Sequence, residues 1–102
     1  MTEPRFTHNT ALHRYEAALD GELAAYAEYN LLSGAIMFTH TEVLSAHEGK
    51  GLGSAIARHV LDAARAQQLH VIPVCQFIAG YIRKHREYVD LVQPHVQQAF
   101  KI

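Results

Sequence analysis

The sequence predicts an α+β fold in which a mostly antiparallel sheet includes one parallel strand–helix–strand crossover and is flanked by helices. Three observations support this fold class. An Asp20-Gly21 pair separates two strand-like runs, an amphipathic stretch begins at Leu52, and the short apolar run "LHVIPVC" (69–75) follows it. Asp-Gly between strand-like runs is typical of a tight antiparallel hairpin, whereas parallel strands need a longer crossover, usually a helix.

The first half of the chain predicts a meander of three strands. The hairpin joins Leu12–Leu19 to Glu22–Tyr29 through the Asp-Gly turn. A polar break at Asn30–Gly34 precedes the run "AIMFTHTEV" (35–43), whose β-branched and aromatic residues suit a third strand with one buried face.

The second half predicts helices around one further strand. Apolar residues recur at helical spacing from the start of the amphipathic stretch, at Leu52, Ala55, Ile56, Val60 and Ala63. The run 69–75 has the length of a buried strand, so the helix before it predicts a right-handed crossover from the third strand. A second helix is predicted from Phe77 to about Arg86, with Phe77, Ile78, Tyr81 and Ile82 on its apolar side. Pro94 is expected to open a short terminal helix.

Length and composition limit the classes of protein that this chain can belong to. It has 102 residues, 49% of them apolar, which predicts a single domain over 1–102, with a core over about 5–92 and a short helix or tail over 93–102. The formal charge of −1 leaves no broad basic face for a nucleic-acid backbone, so nucleic acid is not expected as a partner. No apolar run approaches the roughly 20 residues of a membrane span, so no membrane association is expected. A single cysteine and an N-terminus without a signal-like apolar core predict a cytoplasmic protein.

Three glycines alternate in the stretch "AHEGKGLGSAI" (46–56), immediately before and at the start of the first predicted helix. Glycine permits unusual backbone angles and lets another group approach the main chain. The first turn of a helix offers free N–H groups and the positive end of the helix dipole, which together favour an anion such as phosphate. The alternative is a tight turn with close packing and no ligand.

Two common phosphate-binding motifs fit this stretch poorly. The nucleotide-hydrolase loop needs Ser or Thr after its lysine, and here Gly51 follows Lys50. The dinucleotide fingerprint needs a final Gly or Ala where this chain has Ser54, and no acidic residue ends the run "HVIPVC".

Four motifs in order resemble the small stand-alone subfamily of the GCN5-related N-acetyltransferases over about residues 5–92. They are "HTEV" (40–43), "EGKGLGSA" (48–55), "VIPVC" (71–75) and "YIRKHREY" (81–88). The resemblance implies an acetyltransferase fold, acetyl-CoA as cofactor and an amine as acceptor. Glu48 stands where the wider superfamily has Arg or Gln, and a carboxylate cannot donate a hydrogen bond to phosphate. We expect Glu48 to point away or to pair with a nearby cation.

The resemblance also implies which residues bind the cofactor. The diphosphate is expected to rest on the backbone and neighbouring groups of Gly49, Lys50, Gly51, Leu52, Gly53 and Ser54. Lys50 would offset negative charge, and the Ser54 hydroxyl would add a donor. The pantetheine arm would run between the strands that end at "HTEV" and at Cys75, and the backbone N–H of Val43 or Leu44 would face the thioester carbonyl.

An alkyl amine must lose a proton before it attacks, since only about one in 2,500 is neutral at pH 7. His40 and Glu42 are two residues apart and share one face of a strand, so either can take part in this step. The resemblance favours Glu42 as the base, and it places Tyr81 where many relatives have a general acid for the departing thiolate. The alternatives are a polar outer strand face for the first two and a core tyrosine for the third.

Cys75 and Arg83 complete the candidate site. The Cys75 thiol lies at a strand end beside a helix start, a position that favours the thiolate and would let it carry the acetyl group itself. The resemblance implies that this cysteine lies beside the cofactor thiol, and the alternative is a small apolar filler. Arg83 belongs to a basic run that complements the C-terminal end of the second helix and could also meet the 3′-phosphate of coenzyme A.

The predicted function is therefore acetyl transfer from acetyl-CoA to a primary amine by direct attack in a ternary complex. The acceptor, a small molecule or a protein amine, and the oligomeric state are left open. A non-catalytic acyl-CoA binding or sensing module and a structural protein with a plain glycine turn are the rival hypotheses. Eight histidines without an H-E-x-x-H pattern and a lone cysteine predict no metal site.

Overall fold

A computed structural model describes residues 3–102 and contains one five-stranded sheet in the order β1-β2-β3-β4-β5. The strands are β1 (Arg5–Asn9), β2 (Arg14–Leu19), β3 (Glu22–Leu32), β4 (Ala35–Val43) and β5 (His70–Pro73). The helices are α1 (Leu52–Ala66), α2 (Gln76–Lys84) and α3 (Pro94–Gln97), with 3-10 turns at Ser45–His47, Arg86–Leu91 and Gln98–Phe100. All neighbouring strands are antiparallel except β4 and β5. The predicted α+β fold class is confirmed.

Two of the three hairpin turns, those on either side of β3, depend on backbone angles that glycine adopts easily. Asp20 and Gly21, with φ of 53° and 80°, join β2 to β3, and positive φ at both central residues is typical of the turn that matches strand twist. Gly34, with φ of 71°, ends the turn between β3 and β4. The polar residues before it do not break the strand as predicted, because β3 continues through Leu32 in register with β4.

The sequence analysis was wrong about several other boundaries. It missed β1, which has no alternating apolar pattern and is a strand because it pairs along β2. Leu12 lies in a turn and is 56% exposed, so β2 begins two residues later than predicted. The second helix ends at Lys84, and β5 is limited to four residues.

The helix α1 packs on one face of the sheet. Alternate residues of β2 and β3 on this face are buried, and several are alanines that let the helix backbone come close. From α1 the buried residues are Leu52, Ile56, Ala57, Val60, Leu61 and Ala64. The opposite face carries polar residues, among them Arg14, Glu28 and His40, which are half-buried or exposed.

The parallel ladder between β4 and β5 is short. Pairing runs from Ala35 opposite His70 to Phe38 opposite Pro73, while β4 continues for five more residues to Val43. Proline has no N–H to donate, so it cannot extend a ladder. The second half of β4 therefore has no strand partner on its β5 side.

Aromatic and imidazole rings attach β1 to α1. The ring of His59 stacks on Phe6, with centroids 4.2 Å apart and planes 8° apart, and meets the edge of Tyr15 at 5.8 Å. His8 stacks on Tyr15 and hydrogen-bonds the Tyr29 hydroxyl at 2.6 Å. These contacts explain why a strand with little apolar periodicity is held at the sheet edge.

The pH dependence of stability should report on the His59 stack. Burial lowers the pKa of His59 below its usual 6.5, with His8 acting in the same direction and Asp62 opposing. At pH values between the folded and unfolded pKa of His59, the unfolded chain binds more protons than the folded chain. The contribution of His59 to stability is therefore complete above about pH 6.5 and falls as the pH drops below it. Urea unfolding at pH 7.5 and pH 5.5 should show a smaller loss for His59→Phe than for the unsubstituted protein. Equal losses in both proteins would contradict this prediction.

Candidate functional site

The start of α1 is uncapped and faces open space. Gly51 is the N-cap residue with φ of 75°, and Gly49 has φ of 81°. No described side chain caps this helix, and its first turn holds no acidic residue. The N–H groups of Leu52, Gly53 and Ser54 have no partner within the helix, because the first turn has no preceding carbonyls. A Cβ added at Gly49 or Gly51 would meet no described atom within 4 Å.

A cavity of about 320 Å³ lies in front of these N–H groups. Its lining residues are Val43, Glu48, Gly49, Gly51, Leu52, Gly53, Ser54 and Phe77. The end of β4, the glycine loop and the start of α2 thus meet at one place. These elements lie close together because the crossover returns the chain from α1 to β5, which pairs with β4.

Phe77 is a lining residue that the sequence analysis assigned wrongly to the apolar side of α2. The other predicted members of that side are better covered, with Ile78 and Ile82 fully buried and Tyr81 partly buried, but Phe77 is 46% exposed. Its ring lies on Gly53, so close that an added Cβ would come within 2.9 Å of the Phe77 Cζ atom. The sequence gives one signal for Phe77 as a lining residue: it is an apolar residue in the first turn of a helix that directly follows a strand.

A second cavity, of about 220 Å³, adjoins the first through Ser54 and Phe77. Its remaining lining residues are Gln76, Gly80, Tyr81, Lys84 and His85. The Tyr81 ring stacks on His85, with centroids 3.9 Å apart. Burial raises the pKa of Tyr81, which keeps its hydroxyl protonated.

Cys75 lies at the point where the parallel ladder ends. Its N–H donates to the Phe38 carbonyl at 2.8 Å, while the Val74 N–H turns back to Ile72. The Cys75 side chain is buried, and its Sγ lies 3.3 Å from the Thr41 Oγ1. Thr41 belongs to the half of β4 that has no strand partner on its β5 side. The thiol is therefore located between β4 and the start of α2.

Of the two backbone donors expected near the thioester, only Val43 is available. The Leu44 N–H donates to the Ala24 carbonyl at 2.8 Å, so it is used by the sheet. Because N–H groups alternate sides along an antiparallel strand, the Val43 N–H points away from β3. Val43 is also one of the lining residues of the first cavity.

His40 and Glu42 interact on the uncovered face of the sheet. The His40 Nε2 lies 2.8 Å from the Glu42 Oε1, and the side chains are 51% and 46% exposed. The two side chains share a face, as the strand spacing predicts, and this face is opposite to the one on which α1 packs.

The charged residues predicted near the cofactor are more scattered. Lys50 is exposed, and Glu48 lines the first cavity without an ion pair among the described residues. The Arg83 Nη1 donates to the Phe100 carbonyl at 2.7 Å, and Arg83 lines a separate cavity with the C-terminal segment. Lys84, from the same basic run, lines the cavity that contains Tyr81.

Two kinds of feature are absent from residues 3–102. No group of three or more His, Cys, Asp or Glu side chains is arranged to hold a metal ion. No helix in this part of the chain combines the length and apolarity needed to cross a membrane.

The fold and the site together define a class of protein. An uncapped glycine-led helix start beside a parallel strand pair that ends early is suited to binding an anion such as phosphate. Residues 14–91 match the family model of the GCN5-related N-acetyl-transferases. The chain belongs to this family, which confirms the resemblance and supports a general acetyltransferase function. No curated protein matched the chain.

Substitutions in the glycine loop should separate backbone strain from lack of space. Gly51→Ala should destabilise the protein by about 1–2 kcal/mol, because a Cβ is unfavourable at positive φ even in open space. Gly53→Ala should cost less than about 1 kcal/mol, because better helix propensity offsets a small movement of the exposed Phe77 ring. Urea unfolding at neutral pH measures both values. A larger cost at Gly53 than at Gly51 would contradict this assignment.

Proposed function

We propose that the protein is an acetyl-CoA-dependent N-acetyltransferase that moves the acetyl group to a primary amine by direct attack in a ternary complex. One observation carries the proposal: the uncapped start of α1, held open by Gly49 and Gly51, faces a cavity that also contains the end of β4. The family of the chain agrees with this use of the site.

The residues of the glycine loop fit the diphosphate of coenzyme A. The N–H groups of Leu52, Gly53 and Ser54, which have no partner within the helix, and the positive end of the α1 dipole favour two adjacent negative charges. The Ser54 hydroxyl can donate a further hydrogen bond, and exposed Lys50 can offset charge. Glu48 opposes binding electrostatically, so the backbone groups must supply most of the affinity.

Bound acetyl-CoA would supply the electrophilic carbonyl of its thioester. The Val43 N–H, directed away from β3, is the donor that we assign to the carbonyl oxygen. Phe77 would give the carrier an apolar wall between the two cavities. Arg83 remains a predicted contact for the 3′-phosphate, and Lys84 is an additional candidate because it lines the Tyr81 cavity.

We assign the two proton transfers to groups on opposite faces of the sheet: Glu42 and His40 on the uncovered face, and Tyr81 of α2 on the helix side. Glu42 accepts a proton from the acceptor ammonium, and His40, bonded to the same carboxylate, can pass it to water because both side chains are half exposed. Tyr81 donates its proton to the sulfur as the C–S bond breaks, and then recovers one from solvent. Its raised pKa keeps this proton in place until the sulfur becomes basic.

Cys75 offers an alternative route in which the acetyl group rests on its sulfur before transfer. The contact of the Cys75 Sγ with the Thr41 Oγ1 keeps the thiol at the gap between β4 and α2. Direct attack needs no such intermediate, so we keep it as the proposed mechanism and assign Cys75 a packing contact beside the cofactor thiol.

Turnover distinguishes an enzyme from a binding or sensing module. Release of free thiol from acetyl-CoA should depend on the presence of an amine when small primary amines, polyamines and lysine peptides are supplied. Saturable coenzyme A binding without amine-dependent release would favour the non-catalytic module. Lack of measurable binding at millimolar coenzyme A would remove both cofactor hypotheses.

The Gly51→Glu variant should lose coenzyme A binding by about 100-fold or more, because it adds bulk and negative charge at the start of α1. Gly34→Glu is the matched control, since Gly34 has a similar φ of 71° and equally open space but lies in the β3–β4 turn. Isothermal titration measures both dissociation constants. Equal loss in the two variants would indicate a stability effect instead of a binding site.

The Glu42→Gln variant should keep its affinity for coenzyme A and lose kcat on the order of 10²-fold, as expected when a general base is removed. Glu28→Gln is a matched control, because Glu28 lies on the same sheet face and pairs with His40 in register. Steady-state kinetics across pH 6–9 measure the effect. An unchanged pH–rate profile in Glu42→Gln would show that another group is the base.

A further inference from the structure

Tyr26 lies directly opposite Glu42 on the uncovered face of the sheet. The β3–β4 register pairs Tyr26 with Glu42, and the β2–β3 register pairs Glu16 with Tyr26. Directly opposed residues on neighbouring strands have Cβ atoms only about 4.5–5.5 Å apart, so their side chains interact. Sequence analysis did not identify Tyr26 as a candidate, since its role follows from pairing and not from a motif.

The Tyr26 ring also contacts the Arg14 side chain of the neighbouring strand β2. The Arg14 guanidinium carbon lies 4.4 Å from the ring centroid, which is a cation–π arrangement. Arg14 is itself fixed, because its Nε donates to the Glu16 Oε2 at 2.8 Å and the Asn9 Nδ2 donates to the same oxygen at 2.9 Å. Tyr26 is thus supported by a network of short contacts that begins at β1.

Glu42 has neighbours on two sides. The His40 Nε2 contacts its Oε1 at 2.8 Å, and the His40 ring lies 6.1 Å from the Tyr26 ring. Burial raises the pKa of Tyr26, and the charges of Glu42 and Glu28 raise it further, against an opposing effect of Arg14. The electrostatic contribution of Glu42 agrees with a hydroxyl that lies beside its carboxylate.

We propose that Tyr26 is a positioning residue that orients the Glu42 carboxylate. An exposed glutamate samples several rotamers, and proton transfer needs the carboxylate in one of them. His40 contacts one oxygen, and Tyr26, which Arg14 holds and which lies directly opposite Glu42, would restrain the carboxylate from the neighbouring strand. The inference rests on the proposed role of Glu42 as the base.

The first test measures the contact without turnover. In protein labelled with ¹³C at the tyrosine Cζ, Glu42→Gln should move the pKa of Tyr26 down towards its usual 10, because a nearby negative charge is lost. Tyr29 is the internal control: burial and Tyr15 raise its pKa, and it lies on the opposite face. A Tyr26 titration that does not move, or one that moves only together with Tyr29, would overturn the proposal.

The second test measures the consequence for catalysis. Tyr26→Phe should lower kcat about three- to tenfold, leave KM for acetyl-CoA unchanged and move the acid limb of the kcat profile to higher pH. The matched control is Tyr29→Phe, which removes a hydroxyl from the same strand but from the face that contacts His8. It should keep the kcat and pH profile of the unsubstituted protein. A Tyr26→Phe enzyme with unchanged kcat and profile, or with a changed KM for acetyl-CoA alone, would overturn the proposal.

The two tests separate this proposal from the proposed function. If no amine supports turnover but the Tyr26 titration responds to Glu42→Gln, the contact stands and the acetyltransferase proposal fails. If turnover is present and Glu42→Gln lowers it while Tyr26→Phe behaves like Tyr29→Phe, the base assignment stands and the positioning role is wrong.

Discussion

The early end of the β4–β5 ladder is the constraint on which the rest of the site depends. Pro73 has no N–H to donate. The Val74 N–H donates to the Ile72 carbonyl within its own strand end, and the Cys75 N–H donates to the Phe38 carbonyl of β4. Had β5 continued beside β4, its backbone would have occupied the edge of the sheet from Thr39 to Val43. Because it stops, α2 starts at that point instead, and the polar backbone of the second half of β4 remains free on one side.

In the second half of β4, which has no strand partner on its β5 side, successive side chains alternate between the two faces of the sheet. Thr41 and Val43 lie on the face packed by helices, where they meet Cys75 and the cavity of the glycine loop. His40 and Glu42 lie on the uncovered face. In the proposed function, the thioester would be held from the helix side and the proton acceptor would lie on the open side, with their residues adjacent along one strand and their side chains on opposite faces.

The sequence predicts the elements that have strong local patterns and misses those that depend on pairing. The Asp20-Gly21 hairpin, the crossover and α1 follow from turn chemistry and apolar spacing. The strand β1 does not, because its ring contacts with Tyr15, Tyr29 and His59 come from distant parts of the chain.

The same distinction holds for the site. The glycine loop and the shared face of His40 and Glu42 can be read from spacing, since loop geometry and strand alternation are local properties. The exposure of Phe77 and the proximity of Tyr26 to Glu42 cannot, because they depend on how α2 meets α1 and on the register of β3 with β4. A register difference of one residue would move Tyr26 to the other face.

In the proposed function, an anion site built from backbone groups would explain how the chain tolerates Glu48 beside it. Side-chain donors can be lost by a single substitution, whereas the N–H groups at the start of α1 are fixed by the helix and by the positive φ of Gly49 and Gly51. Their partial charges act within about one turn, so they favour a diphosphate that touches the loop over a distant anion. Specificity for the proposed carrier would then depend on the aromatic groups beyond the loop, Phe77 and Tyr81, which both line the adjoining cavity. Affinity for charge and recognition of the carrier would thus be supplied by different parts of the proposed site.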